Sequence, residues 1–182
     1  MDKKGKYSHL LVIRLSAMGD VAMLVPVFTV LGAKFPNLRI TLLTKAHFAP
    51  IFSQLPNVEV FPAKVKEEHK GLWGILRLFR SLKKRRVDAV ADTHNVLRSN
   101  ILKLFFSLNG VPVVQLNKGR TEKKALTRAK NKRFLPLKTT HERYTEVFRE
   151  LGFDITLSKH IKLSKGALSQ QTTELLPKNF GR

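Results

Sequence analysis

"HLLVIRLSAMGDVAMLVP", residues 9 to 26, sets one apolar run before a short loop and a second apolar run after it, with a Gly-Asp pair between them. The first run, 9 to 15, is short and rich in leucine and β-branched residues, and reads as a buried strand. The second begins at Val21 and continues to Phe35, where Pro36-Asn37 closes it, and that length reads as a helix. Strand, glycine-containing turn and helix together open a βαβ unit, so the same alternation is expected downstream.

It recurs. "RITLLT" (39–44) reads as a second strand, "FAPIFSQL" (48–55) as a short helix ended by Pro56-Asn57, and "VEVFPA" (58–63) as a third strand. Residues 71–86 read as a helix, "VDAVADT" (87–93) as strand four, 97–108 as a helix closed by Asn109-Gly110, and "VPVVQL" (111–116) as strand five. Residues 117–138 are charged without a period and read as a loop. A last helix starts at Thr139-Thr140, with Glu142 placed for a capping box, and Tyr144, Val147, Phe148 and Leu151 form its buried stripe before Gly152 ends it. The alternation predicts an α/β fold with a Rossmann-like, doubly wound, mostly parallel sheet over 1–152, followed by a weakly patterned tail over 153–182.

The chain has 182 residues, 43% of them apolar, enough for one domain with a real core. Its 34 Lys and Arg against 13 Asp and Glu give a formal charge of +21, which points to an anionic partner: nucleic acid, a phosphorylated lipid or a membrane surface. No cysteine is present, so disulfide, thiolate-ligand and Cys-nucleophile chemistry is excluded. The basic start lacks the apolar core of a signal peptide, because Arg14 interrupts it, and no stretch reaches the roughly 18 apolar residues of a bilayer span. A soluble, cytoplasmic protein able to sit on a membrane surface is expected.

Open parallel sheets bind ligands beyond the carboxyl ends of their strands. "SAMGD" is such a loop: Gly19 permits a tight turn and a close ligand, Ser16 and Met18 flank it, and Asp20 either caps the following helix or faces a ligand. Spacing alone leaves both roles open. "ADTHNVLRSN" (91–100) is the second such loop, carrying Asp92, His94, Asn95 and Arg98, though polar groups there also serve simply to satisfy loop backbone. With strand four beside strand one, the two loops should face each other. The charge itself is clustered, with nine Lys or Arg in 64–86 and nine in 117–138. On the helix from Gly71, Leu72, Ile75, Leu76, Phe79 and Leu82 form a core stripe, with Trp73, Arg77, Arg80 and Lys84 alongside as a face suited to anionic sugars, phosphates or a lipid interface. The histidines at 9, 47, 69, 94, 141 and 160 show no i, i+4 pair, and no Asp-x-Asp, phosphate loop or dinucleotide glycine fingerprint occurs, so a metal-free site is expected.

Taken together, "LLVIRLSAMGDVAMLVPVFTVLGAKFPNLRITLLT" (10–44), "VDAVADTHNVLRS" (87–99) and "HERY" (141–144) resemble the N-terminal part of the lipopolysaccharide heptosyltransferases, glycosyltransferase family 9, over about residues 9–152. The resemblance implies the N-terminal, acceptor-binding half of a GT-B enzyme, the other half holding most of the ADP-heptose site. It matches Asp20 to the family's catalytic base for an inverting, metal-independent transfer that needs no cofactor beyond the donor. It implies an anionic lipid A and inner-core acceptor, a place on the cytoplasmic side of the inner membrane and no nucleic-acid partner. Acceptor contacts are then expected from Ser16, Met18, Gly19, Asp92, His94, Asn95 and Arg98. Trp73, Arg77, Arg80, Lys84, Arg120 and His141 complete that expectation. "THNVLRS" departs from the Gln-Gly that many members carry after the aspartate, and the chain is about half the usual length, so little transferase activity is expected from it alone. The alternatives are a transferase for another surface polysaccharide and a non-enzymatic, basic nucleic-acid-binding domain. The latter has no helix-turn-helix, zinc or RNP motif to support it.

Overall fold

A computed structural model describes residues 6–132 and 134–157. Five strands run parallel: β1 (His9–Ile13), β2 (Arg39–Thr44), β3 (Val58–Pro62), β4 (Ala89–Asp92) and β5 (Val113–Gln115), in the spatial order β3-β2-β1-β4-β5. This is the doubly wound order expected from the alternation. β1 lies at the centre, and all five of its residues are buried, which is why its sequence is a continuous apolar run rather than an alternating one. Ile13 is level with Leu43 of β2 and with Asp92 of β4, so the loops that follow β1 and β4 leave the sheet side by side.

Helices cover both faces. α1 (Met18–Ala22), α2 (Leu24–Lys34), a 3-10 turn (Ala46–Phe52) and α6 (Thr140–Glu150) close one face, where Phe28 packs against Phe52 and, edge-on, against Phe148. α3 (Gly71–Lys83) and α4 (Leu97–Leu108) close the other, with Phe79 edge-on to Phe106 at 5.0 Å. α5 (Arg120–Thr127) buries no residue.

Four expectations need correction. The helix foreseen over 21–35 begins at Met18 and breaks at Met23, because Pro26 has no N–H to offer the Ala22 carbonyl and its ring crowds that oxygen. Residues 117–138 hold α5; with no buried face it shows no apolar period, and its start is fixed by Gly119, left-handed at φ 60°. On α3, Leu72 is 62% exposed and Leu76 half-buried, while Leu78 is fully buried. Gly74 turns the helix this way, since any side chain there would meet the His69 backbone, and Gly74, Ile75, Leu78, Phe79 and Leu82 therefore face inward. Past Gly152, Phe153 and Ile155 are fully buried, with Phe153 edge-on to Phe35, so the packed unit continues into the expected tail. The rest of that tail, 158–182 with His160, lies outside the described residues. The capping box of the last helix forms as read, with Thr139 Oγ accepting from Glu142 N–H and the Glu142 carboxylate accepting from Thr139 N–H. Among the described residues no helix is long and apolar enough to cross a membrane.

Candidate functional site

From β1 the chain crosses toward β2, and from β4 it crosses toward β5, so a crevice opens between the two loops at the carboxyl edge of the sheet. Arg14, the first residue past β1, fills its floor. Its side chain is 10% exposed; Nη1 donates to the Thr93 carbonyl, Nη2 pairs with the Asp20 carboxylate, and the guanidinium lies 5.8 Å from the centre of the Tyr144 ring. The Asp20 side chain is 41% exposed, so one carboxylate is both anchored and reachable.

Asp20 is not the helix cap. Ala17 holds that position, in the loop whose Ser16–Ala17 peptide is cis, and Asp20 is the third helical residue, its carboxylate reaching back to Ala17 N–H at 3.4 Å. Tyr144 of α6 donates from its hydroxyl to the Asp20 carbonyl at 3.1 Å. Burial pushes the Tyr144 phenol up to about 12, so it stays a donor. Tyr144→Phe removes that bond alone, and urea unfolding should show a loss of about 1 kcal/mol.

The facing loop divides into structural and open groups. Asp92 is buried and saturated: Oδ1 accepts from His94 N–H and Asn95 N–H at 3.0 Å each, and Oδ2 accepts from Gln115 Nε2 at 2.7 Å. Asn95, at φ 49°, donates from Nδ2 to the Leu116 carbonyl. Both therefore shape the loop rather than face a ligand. Arg98 points away, donating to the Val65 carbonyl before α3. His94 is 9% exposed with Nδ1 unpartnered, and burial, reinforced by Arg14, pushes its ring down to about 4. Lys118, just past β5, is held below the ordinary lysine range by burial and then by Arg120 and Arg14, while Asp92 and Asp20 act in the opposite sense. Arg14 and Lys118 are absent from the sequence expectation. The only signals for them were a cation directly after an apolar strand and a lysine at the next strand end.

His94 makes stability fall in acid. The unfolded ring takes a proton near the ordinary value of about 6.5, whereas the folded ring refuses it down to about 4. Stability is complete above the unfolded value and is lost as pH falls through that window. His9 and His69 are lowered too, mainly by burial, and act in the same direction. The urea midpoint should therefore drop between pH 7 and pH 4.5, and less steeply in His94→Gln; equal slopes would contradict the assignment.

The remaining candidates are spread out. Met18 and Gly19 form the exposed rim of the crevice beside the half-buried Ser16, with open space around Gly19, and Arg120 lies beside Lys118. His141 lines a separate depression of about 380 Å³ with Thr145, Arg149 and Thr156. Trp73, Arg77, Arg80 and Lys84 stand exposed along α3, whose axis of about 20 Å carries Lys84 toward the far edge of the sheet. Among the described residues no three His, Cys, Asp or Glu side chains come close enough to hold a metal. The crevice can therefore present one open carboxylate to a neutral donor group while Arg14, Lys118 and Arg120 attract an anion.

No family model matches the sequence. Over 95 residues the chain is 30% identical to the lipopolysaccharide core heptosyltransferase OpsX of Haemophilus influenzae, covering 52% of this chain and 26% of that protein. Its fold matches the glycosyl transferase family 9 structure from Veillonella parvula with a TM-score of 0.58 at 19% identity, over 87% of this chain and 46% of that one. It also matches the E. coli heptosyltransferase WaaC with ADP, at a TM-score of 0.55 and 20% identity, over 84% and 49% of the two chains. The chain is thus similar in sequence to a heptosyltransferase and similar in fold to a glycosyl transferase family 9 structure. The structural likenesses carry the fold, and the sequence likeness carries the heptosyltransferase resemblance. The chain spans about a quarter of the curated relative and just under half of either solved structure.

Proposed function

We propose that this chain is the acceptor-binding half of an inverting, metal-independent glycosyltransferase of GT-B arrangement. It moves heptose from ADP-heptose to an inner-core acceptor of lipopolysaccharide, with no cofactor besides the donor. The observation that carries the reading is Asp20: an anchored but open carboxylate at the switch point of the sheet, where α/β folds take their ligands. The acceptor hydroxyl lies against it. As the hydroxyl oxygen forms its bond to the anomeric carbon and the bond to ADP breaks on the opposite side, the hydroxyl proton passes to the Asp20 carboxylate. A carboxylate is a weak base, so its contribution rests on position and on the hydroxyl growing more acidic as the bond forms.

Arg14 holds the carboxylate and Tyr144 the Asp20 backbone carbonyl, and Lys118 with Arg120 draws in the phosphates and acidic sugars of the acceptor. The ADP-heptose pocket is formed mainly by sequence outside residues 1–152. The test uses the protein encoded by the complete reading frame. Given ADP-heptose and heptose-deficient lipopolysaccharide, it should release ADP and form an inverted heptoside. Transfer only to a different surface polysaccharide would keep the fold reading and overturn the acceptor.

A further inference from the structure

Two helices on one face of the sheet leave apolar side chains exposed among the described residues. α3 and α4 pack on each other through Phe79, Phe105 and Phe106, and their outer surfaces lie next to one another. On α4, Leu97, Leu104 and Leu108 are 78%, 55% and 74% exposed at spacings of seven and four, one stripe along the helix. The first turn of α3 adds Leu72 and Trp73, the latter 83% exposed. Arg77, Arg80 and Lys84 stand exposed on the same helix.

Along the two helices the charge is of one sign, with Glu68, paired with Lys64, at the border beside Arg77. From His69 to Leu108 the only carboxylates are Asp88 and Asp92. Asp88 is occupied by Ser8 and the His9 N–H, and Asp92 is buried in its loop, so neither faces outward from the helices. A second copy is a poor occupant, because each chain carries +21 and the two faces would repel. A nucleic-acid backbone would meet the cations but leave the leucine stripe unmatched. An anionic bilayer surface meets both, taking the leucines and the indole at the headgroup boundary and the Lys and Arg heads at its phosphates.

We propose that the outer face of α3 and α4 docks on an anionic lipid bilayer, with Trp73 seated in the headgroup region. Both helices begin at the carboxyl edge of the sheet, so Trp73 and Leu97 lie at the same edge as the Asp20 crevice. A lipid-borne acceptor would then reach the carboxylate from the membrane beside it. The proposal deepens the functional reading above and rests on it only for this orientation.

Trp73 is the chain's single tryptophan, so its emission reports the contact directly. The 182-residue chain is titrated with phosphatidylglycerol-containing vesicles and with pure phosphatidylcholine vesicles, each with and without brominated acyl chains. Blue-shifted emission, quenched by bromolipid in the anionic vesicles and absent with the neutral ones, is the expected result. Leu104→Glu with Leu108→Glu, and separately Arg80→Glu with Lys84→Glu, should weaken partitioning about tenfold or more, while Asp20→Asn binds as wild type. The proposal is overturned by an absence of bromolipid quenching. It is equally overturned by a shift that appears without lipid as protein concentration rises, which would mean a second copy, or by a shift produced by single-stranded DNA but not by vesicles. No docking by the unsubstituted 182-residue chain, with heptose transfer by the protein of the complete reading frame, sinks this face alone; docking by this chain with no transfer by that complete protein sinks the functional reading alone.

Discussion

Asp20→Asn, in the protein encoded by the complete reading frame, lowers kcat/KM for heptose transfer by about 10²–10⁴-fold, with acceptor binding and the unfolding midpoint close to wild type. The amide keeps the size of the side chain and can still accept from Arg14, so the floor of the crevice stays in place. What it loses is the capacity to take the acceptor proton. Equal losses in kcat and kcat/KM are expected, because the interaction forms only as the hydroxyl reacts. Steady-state kinetics with acceptor and donor varied separately make the distinction. If the loss fell on the KM for acceptor alone, Asp20 would be a binding group and the base would lie elsewhere.

Arg143→Met has the largest expected effect on stability. The Arg143 side chain is 8% exposed and ties three segments together, donating from Nε to the Lys138 carbonyl, from Nη1 to the Asn117 carbonyl and from Nη2 to Glu122 of α5. Losing the two charged bonds to backbone should cost about 2–4 kcal/mol; Glu122 is exposed and adds little. The guanidinium also rests where a Cβ on Gly119 would stand, so Gly119→Ala, strained at φ 60°, should loosen the same region by about 1–3 kcal/mol. Hydrogen exchange should show α5 and residues 117–119 opening in both variants while β1 and β4 stay protected. Uniform opening of the whole sheet would contradict this local role.

These two residues also mark how far the sequence could be read. The strands were legible as short apolar runs, most of them set off by proline, glycine or asparagine nearby, and the bounds of β2 and α4 were read without error. That β4 adjoins β1 followed from the usual winding of such sheets, and it brought the two polar loops together as foreseen. α5 was hidden because a helix with no buried face leaves no period, and its anchor, Arg143, lies at the far end of the segment in sequence. Leu72 was assigned to the wrong side of α3, and Leu78 was left out of its core stripe, because the turn of a helix on its sheet depends on contacts such as that of Gly74 with His69.

Within the site, residue type alone could not tell a ligand-facing carboxylate from one consumed by its own loop. Asp20 and Asp92 both end strand loops, yet Asp92 spends its oxygens on His94, Asn95 and Gln115, while Asp20 remains open. Arg14 escaped notice because it reads as an interruption of a strand, and its value comes from contacts with Thr93 and Tyr144, distant in sequence. The aromatic and basic groups of α3 were legible as a face. Their separation from the crevice required knowing where the helix runs.

The most direct test of the account is where the acceptor touches the chain. With isotope-labelled protein and the deacylated inner-core oligosaccharide of heptose-deficient lipopolysaccharide, amide shifts should move at Gly19, Asp20, His94 and Lys118, the edges of one crevice between the β1 and β4 loops. Shifts confined to the His141 depression, or to the outer face of α3, would contradict the placement of the reacting hydroxyl at Asp20.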